Sequence, residues 1–368
     1  MTQNAVITGW GKCLPPAILT NEHLASFLDT SGDWITSRTG IEERRITHKN
    51  ISDLSAVAGK HALAAAGLEA SELDAIYVAT SSGDTLIPNT AARVQNKLGI
   101  RGCAAVDVNA ACSGFIYALT QVAAQIKAGM MEKALVIGAD RLTYYVDWTK
   151  RNVAILFGDG AGAVVVEATD DNAGFQFSHL GCDSDGLGIL GVDKMGTNVP
   201  RYHDHPGAFE VPFEGQEIYM NAIAEMKRSS LEVMKKSGWH KDDIDLFIAH
   251  QANIRIVDAL TKHLKLPADK VFINIEKYGN MSAATVPVAL CEALEAGRVN
   301  AGDNIILTAF GAGLTYGACS LKWGSRTTPV AISSAELAPG PTDALSLLKE
   351  DIKRSYQERH QPIPDALK

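Results

Sequence analysis

An α/β fold built from two duplicated halves is predicted by three observations. First, helical periodicities alternate with short apolar runs along the 368-residue chain, the pattern of buried strands layered against helices. Second, HALAAAGLEASELDAIYVAT (61–80) and LEVMKKSGWHKDDIDLFIAH (231–250) share one plan about 171 residues apart. In each, a helix ends at a glycine (Gly67, Gly238), a polar turn follows, and an aspartate seven residues on (Asp74, Asp245) opens an apolar run. Third, a long helix ending in Ala-Gly, a turn and an apolar strand recur in QVAAQIKAGMMEKALVIGAD (121–140) and VALCEALEAGRVNAGDNIILTAF (288–310). Solenoid units run to about 20–50 residues, so a repeat of this length means two related βαβ-containing halves packed together.

The elements follow in order. The N-terminal MTQNAVITGWG lacks a charged leader and a long apolar core, so it reads as a first strand and not as a signal peptide. AAVDV (104–108) reads as a short buried strand, and from Cys112 the apolar residues fall at 112, 115, 116, 119, 122, 123 and 126, which is helical spacing. Cys112 therefore stands at or near a helix N-terminus, where unpaired amides and the helix dipole favour a thiolate. The plainer alternative is a small apolar side chain packed in a strand-to-helix turn. In the second half, DLFIAH places His250 at a strand end, ahead of QAN and the helix IRIVDALTKHL, and Asn280 in KYGNMSAATVPVAL immediately precedes a helix. Taken singly, His250 is a satisfied buried histidine and Asn280 a helix cap. Together the three polar groups, drawn from both halves, occupy strand-to-helix junctions, where sheets of this class bind ligands.

Composition narrows the function. With 46% hydrophobic and 21% charged residues the chain is an ordinary soluble globular protein, and its net charge of −8 argues against bulk nucleic-acid binding. No apolar stretch approaches the ~20 residues needed to span a membrane. Cysteines 13, 103, 112, 182, 291 and 319 show no CxxC spacing, which suggests reduced thiols in a cytoplasmic protein, not a disulfide framework or a zinc site. Two formal glycosylation sequons, at 50 and 280, then carry no meaning.

ACSGF around Cys112, FGDGAGA (157–163), HQANIRI (250–256), YGNMSAATVP (278–287) and GAGLTYG (311–317) resemble 3-ketoacyl-(acyl carrier protein) synthase III, of the thiolase-fold superfamily, and TSGDWITSRTGIEERRI (30–46) is similar to that family's coenzyme A-binding segment. The resemblance runs in order from residue 5 to about 323. It implies a thiolase-like fold of two duplicated αβαβα halves in five layers and a homodimer. Residues 1–170 would form the half with the nucleophilic cysteine, 171–323 the half with His and Asn, and 324–368 a linker plus a C-terminal amphipathic helix. It implies a decarboxylative Claisen condensation in which an acyl group passes from coenzyme A to Cys112 and malonyl-(acyl carrier protein) loses carbon dioxide and attacks it. No tightly bound cofactor is expected, acyl-CoA being a substrate.

These residue types suit that chemistry. A cysteine accepts acyl groups readily and its thioester stays reactive towards carbon. The enolate left by decarboxylation needs donors, which His250 Nε2 and the Asn280 amide supply; the acyl thioester's own oxyanion takes, by the resemblance, the backbone N–H groups of Cys112 and Ala312, each donor worth ~3 kcal/mol. A Cys-His-Asn set resembles synthase III, Cys-His-His the elongating synthases and Cys-His-Cys the thiolases; Cys319, on an apparent strand, is read as packing. For coenzyme A the resemblance points to Trp34, Arg38 and Arg151, whose indole and guanidinium planes can sandwich an adenine, with Asn253 near the pantetheine path. Arg255 and Lys262, seven apart on one helix face, with Lys265 nearby, would receive the phosphopantetheine phosphate or acidic helices of the carrier protein.

Several features depart from the family pattern or mimic other sites. The loop reads GAG where GGG is frequent. Ile87, beside Pro88, replaces a common aromatic at the position that in the family faces the primer's acyl chain, so a longer or branched primer is admissible. The segment 181–217 is longer than usual. Its GLGILG (186–191) satisfies GxGxxG but is read as a loop because a polar CDSD precedes it, and His203 and His205, two apart without further ligands, do not make a metal site. From 324 the Pro/Ser/Thr-rich SRTTPVAISSAELAPGP reads as an extended linker, followed by a helix with Leu345, Leu348, Ile352 and Tyr356 on one stripe that buries against the parent protein. Two rivals remain at this point: a related condensing enzyme or acyltransferase of secondary metabolism using a medium-chain acyl-CoA, and a non-enzymatic acyl- or carrier-binding subunit, against which the intact Cys-His-Asn set weighs.

Overall fold

The structure, a computed structural model, describes residues 3–193, 197 and 211–367. Strands β1 (Asn4–Cys13), β4 (Ala75–Ala79), β5 (Ala104–Val108), β6 (Lys133–Arg141) and β7 (Asp159–Thr169) form one sheet, and β2 (Ala17–Thr20) pairs with β3 (Glu43–Ile46) in a separate ribbon. Strands β8 (Gly174–Cys182), β9 (Leu246–Ala249), β10 (Asn304–Gly311) and β11 (Thr315–Lys322) form the second sheet. The helices are α1 (Asn21–Ala25), α2 (Gly32–Thr39), α3 (Ile51–Ala66), α4 (Thr90–Lys97), α5 (Gly114–Lys127), α6 (Arg151–Ala154), α7 (Gly215–Ser237), α8 (Ile254–Leu264), α9 (Ile275–Tyr278), α10 (Thr285–Glu295) and α11 (Ala344–Glu358), besides short 3-10 turns.

The two sheets repeat one topology. The first runs β1-β7-β6-β4-β5, with β4 parallel to β5 and β6 and with β7 antiparallel to β6 and β1. The second runs β8-β11-β10-β9 with the same senses, and a single parallel bridge from Phe247 to Val271 stands where a fifth strand would lie. The glycine–aspartate signature recurs in the backbone itself. Gly67 and Gly238 end α3 and α7 in the left-handed region, at φ 72° and 71°, where a glycine is favoured. The Asp74 carboxylate then accepts the Lys133 N–H of β6 at 2.9 Å, and the Asp245 carboxylate accepts the Asn304 N–H of β10 at 2.9 Å. Each aspartate thus ties the starts of the same pair of parallel strands.

Helices α3 and α4 cover the outer face of the first sheet, α7 and α8 that of the second, and α5 and α10 lie between the sheets, giving five layers. Sandwiched on both sides, α5 buries Phe115, Ile116, Leu119, Val122, Ala123 and Ile126 completely or nearly so, which is why its apolar spacing stands out. The glycines of FGDGAGA permit close packing, as expected: a Cβ on Gly162 would come within 2.7 Å of the Val288 backbone nitrogen on α10. Cys319 is wholly buried in the core, and all six cysteines are free.

The tail is part of the fold. Its linker runs back along α3, where the Val330 N–H donates to Ala65 O (3.0 Å) and the His61 and His48 Nε2 atoms meet the Ala335 and Ala338 carbonyls at 2.8 and 2.9 Å. Helix α11 then buries Leu348, Ile352 and Tyr356 against the β2–β3 ribbon, α2 and the segment 146–157, so the amphipathic stripe docks on its own chain. GLGILG needs one correction. A strand, β8, does precede it, but it continues through a single 3-10 turn (Ser184–Gly186) to the cavity wall at Leu190 and Val192, not directly into a helix. His203 and His205 lie outside the described residues. Among the described residues no group of His, Cys, Asp and Glu is placed to hold a metal, and no helix is long and apolar enough to cross a membrane.

Candidate active site

Three 3-10 turns, each at the C-terminal end of a strand or the start of an interlayer helix, meet between the sheets. Ala111–Ser113 follows β5 and leads into α5, Ser282–Ala284 leads into α10, and Ala312–Leu314 joins β10 to β11. Thr315 fastens two of them: its Oγ1 bonds the carbonyls of Ala110 (2.8 Å) and Ala312 (3.0 Å) and the Ser113 hydroxyl (2.8 Å). A Cβ on Gly311 would sit 2.7 Å from the Cys112 backbone nitrogen, so only glycine lets the Ala312 turn approach this closely. The third turn is pinned from the first sheet by Asp140, whose carboxylate accepts the Ala283 N–H at 3.2 Å and the Ser82 hydroxyl at 2.6 Å. Cys112, His250, Asn280 and Ala312 all line one cavity of about 1110 Å³.

His250 follows β9 and is almost wholly buried, its N–H bonded to Thr308 O of β10 at 2.8 Å. Its Nδ1 lies 2.6 Å from the Thr285 hydroxyl, so chemistry at this ring goes through Nε2. Burial drops its pKa to about 3, and the imidazole is neutral at any ordinary pH. Asn280 is fixed through its backbone to Leu156 O (2.9 Å) and Gly158 N–H (3.0 Å). Its Oδ1 accepts the Ser282 N–H at 2.8 Å, which leaves Nδ2 as the donor end.

Cys112 corrects one expectation. It precedes α5 as read, yet burial pushes its thiol up to about 12, against the opposing effect of a hydrogen bond with Ser282. The resting Cys112 side chain is a neutral thiol, because desolvation outweighs the helix dipole here. Alkylation of Cys112 by iodoacetamide is accordingly expected to accelerate about tenfold per pH unit from 7 to 9, following the thiolate fraction. A plateau below pH 8, read by intact-protein mass, would contradict this.

The remaining expected residues divide into those at the cavity mouth and those away from it. Trp34 and Arg38 on α2 and Asn253, the N-cap of α8, line the cavity. The Arg151 guanidinium lies over the Trp34 ring at 4.4 Å and that of Arg38 at 5.9 Å. Arg255 and Lys262 are exposed on α8, Lys265 is its exposed C-cap, and Arg255 bonds the Ser37 carbonyl at 2.9 Å. Ile87 is not in the cavity wall: it is 84% exposed, and its neighbour Leu86 touches the cavity instead. Thr285, Ser282 and Thr315 carry no signal of their own in the sequence, although two of them stand inside the YGNMSAATVP motif and one inside GAGLTYG.

Comparison with known proteins gives the family. Residues 106–186 and 234–323 match the models of 3-oxoacyl-(acyl-carrier-protein) synthase III and of its C-terminal part. A beta-ketoacyl-(acyl-carrier-protein) synthase III 2 of Vibrio cholerae is 51% identical over 98% of this chain and 99% of its own length. The chain belongs to the synthase III family. A synthase III of Roseiflexus castenholzii is 42% identical over 88% of this chain and 99% of its own. The crystal structure of the Aquifex aeolicus synthase III superposes with a TM-score of 0.82 at 42% identity, covering 87% of this chain and all of that one. As a member of the synthase III family the chain is an acyl-transferring condensing enzyme with the thiolase fold.

Proposed function

We propose that the chain initiates fatty-acid synthesis by condensing an acyl-CoA primer with malonyl-(acyl carrier protein), Cys112 carrying the acyl group between the two half-reactions. The observation that carries this reading is the meeting of Cys112, His250, Asn280 and the Ala312 turn in one cavity. In the first half-reaction the Cys112 sulfur attacks the acyl-CoA carbonyl, the backbone N–H groups of Cys112 and Ala312 hold the oxyanion, and the thiol proton leaves with the coenzyme A sulfur. In the second, malonyl-(acyl carrier protein) loses carbon dioxide and its enolate carbon attacks the acyl-Cys112 carbonyl; the cysteine sulfur leaves and regains a proton. In this reading the Thr285 hydroxyl, within reach of both Ser282 O (3.0 Å) and His250 Nδ1 (2.6 Å), gives its one proton to Nδ1, so the His250 proton sits on Nε2, and Nε2–H and Asn280 Nδ2–H donate to the enolate oxygen. A neutral ring suits this donor role, since it needs no charge-state change during turnover.

The nucleophile then belongs to a half spanning 1–170 and its partners to a half spanning 171–323. Coenzyme A enters past Trp34, Arg38, Arg151 and Asn253, its adenine taking the stacking position that Arg151 now holds on Trp34. Arg255, Lys262 and Lys265 face an acidic carrier protein beside that mouth. The working unit is a homodimer, for which the apolar Leu86 and Ile87, both more than four-fifths exposed, offer a contact next to the cavity. Six free thiols suit the reducing cytoplasm. The test is formation of 3-oxoacyl-(acyl carrier protein) from acyl-CoA and malonyl-(acyl carrier protein), followed by mass. Trp34→Ala is expected to raise KM for acyl-CoA about tenfold with little change in kcat, and no product with any primer would overturn the reading.

A further inference from the structure

The family description of this chain stops at residue 323, and the Roseiflexus synthase III is covered over 99% of its own length by 88% of this chain. The Vibrio cholerae relative matches 98%. The tail is therefore an addition shared with some relatives, and its docking place is specific. Helix α11 and its C-cap Arg359 hold two segments that meet at Arg151, which lies over Trp34 of the cavity wall. In one segment, the Arg359 guanidinium donates through Nε to Asp147 Oδ2 at 2.8 Å, with a second guanidinium nitrogen at 2.8 Å and the Asp147 side chain only 1% exposed. The neighbouring Trp148 N–H donates to the Ser355 hydroxyl at 3.4 Å. In the other segment, the Tyr356 hydroxyl donates to Phe27 O at 2.7 Å.

Those anchor points lead directly to the stacking residues. Asp147 Oδ1 accepts the Thr149 N–H and hydroxyl, and Asp147 O accepts the Lys150 N–H, which shapes the turn entering α6. Helix α6 begins at Arg151 and carries Asn152 of the cavity wall. Phe27 packs edge-on against Trp148 at 6.4 Å, and two residues on, Asp29 O accepts from Arg151 at 2.7 Å. Arg151 thus bridges two segments, each held by α11.

We propose that Arg359 and Tyr356 are positioning residues for coenzyme A: through Asp147 and Phe27 they fix the two segments that meet at Arg151, which with Trp34 receives the coenzyme A portion of the primer. The inference rests on the coenzyme A reading above. In the full-length enzyme, Arg359→Gln combined with Tyr356→Phe keeps the apolar packing of α11 and removes both anchors. The dissociation constant of free coenzyme A and KM for acyl-CoA are expected to rise about tenfold, with kcat within about twofold. Restoring a cation with Arg359→Lys in the Tyr356→Phe background is expected to recover most of the loss, which loosened packing alone would not predict. A folded double variant that binds coenzyme A normally, while Trp34→Ala binds it weakly, overturns the inference and spares the coenzyme A reading; normal binding by Trp34→Ala overturns both. Should the double variant fail to fold, wild type decides the question. Linkage is reciprocal, so saturating coenzyme A must increase hydrogen-exchange protection across Ala344–Glu358, and unchanged protection there overturns the proposal.

Discussion

Cys112→Ala is expected to abolish acyl transfer, lowering turnover by about 10⁴-fold or more, while leaving a folded protein. The size follows from the role: with no sulfur to carry the acyl group, the two half-reactions have no shared intermediate, and losses of a covalent nucleophile are among the largest single-residue effects in enzymes. The structural cost is small by comparison. Cys112 lines the cavity, and its turn is held by Thr315 and Ser113 without its side chain, so stability should fall by about 1 kcal/mol or less. Intact-protein mass after incubation with acyl-CoA primers from two to ten carbons separates the outcomes. Adducts on wild type and none on the variant support the mechanism. An adduct of equal yield on Cys112→Ala would move the nucleophile elsewhere, and full residual turnover would sink the covalent route. The chain length giving the strongest adduct also reads out the primer that the open, largely apolar cavity prefers.

The duplication was legible because its signature rests on backbone requirements. A left-handed residue must follow α3 and α7, and an aspartate must tie each pair of parallel strands at its start; both demands survive as Gly67, Gly238, Asp74 and Asp245. The positions of Cys112, His250 and Asn280 were legible for a related reason, since strand-to-helix junctions show in the hydrophobic pattern. What was not legible depended on distance in space. Periodicity and a helix N-terminus suggested a thiolate at Cys112, but no local pattern reports the burial that raises its pKa. The His250–Thr285 bond joins residues 35 apart, and a threonine at the start of an apolar helix has no distinguishing spacing. Ile87 illustrates the converse. Its family position predicts a place by the acyl chain, whereas the described residues leave it 84% exposed on the surface. The apolar stripe marks the tail helix in the sequence, but the Arg359–Asp147 pair joins residues 212 apart, which no local pattern reports.

Asn280 gives the sharpest separation of the two half-reactions. If it donates to the enolate and not to the acyl thioester's oxyanion, Asn280→Ala should slow decarboxylative condensation about 10²–10³-fold, the usual effect of removing one oxyanion donor, and slow self-acylation of Cys112 by less than about tenfold. The alanine variant carries a complication, because Asn280 Oδ1 also accepts the Ser282 N–H, and Ser282 contacts Cys112. Asn280→Asp resolves it. The aspartate keeps an oxygen for Ser282 and replaces the Nδ2 donor by an acceptor that repels a developing enolate, so condensation should fall at least as far as in the alanine variant while acylation stays near wild type. Thr285→Val tests the second donor independently: if the Thr285 hydroxyl donates to Nδ1 and not to Ser282 O, its loss frees the ring to carry its proton at Nδ1, and condensation should drop about tenfold with acylation again spared. Rapid-quench measurement of the acyl-enzyme, followed by chase with malonyl-(acyl carrier protein), reads both steps on one sample. Equal losses in the two steps for all three variants would mean that one set of donors serves both oxyanions, and the division between the Cys112–Ala312 amides and the His250–Asn280 pair would have to be given up.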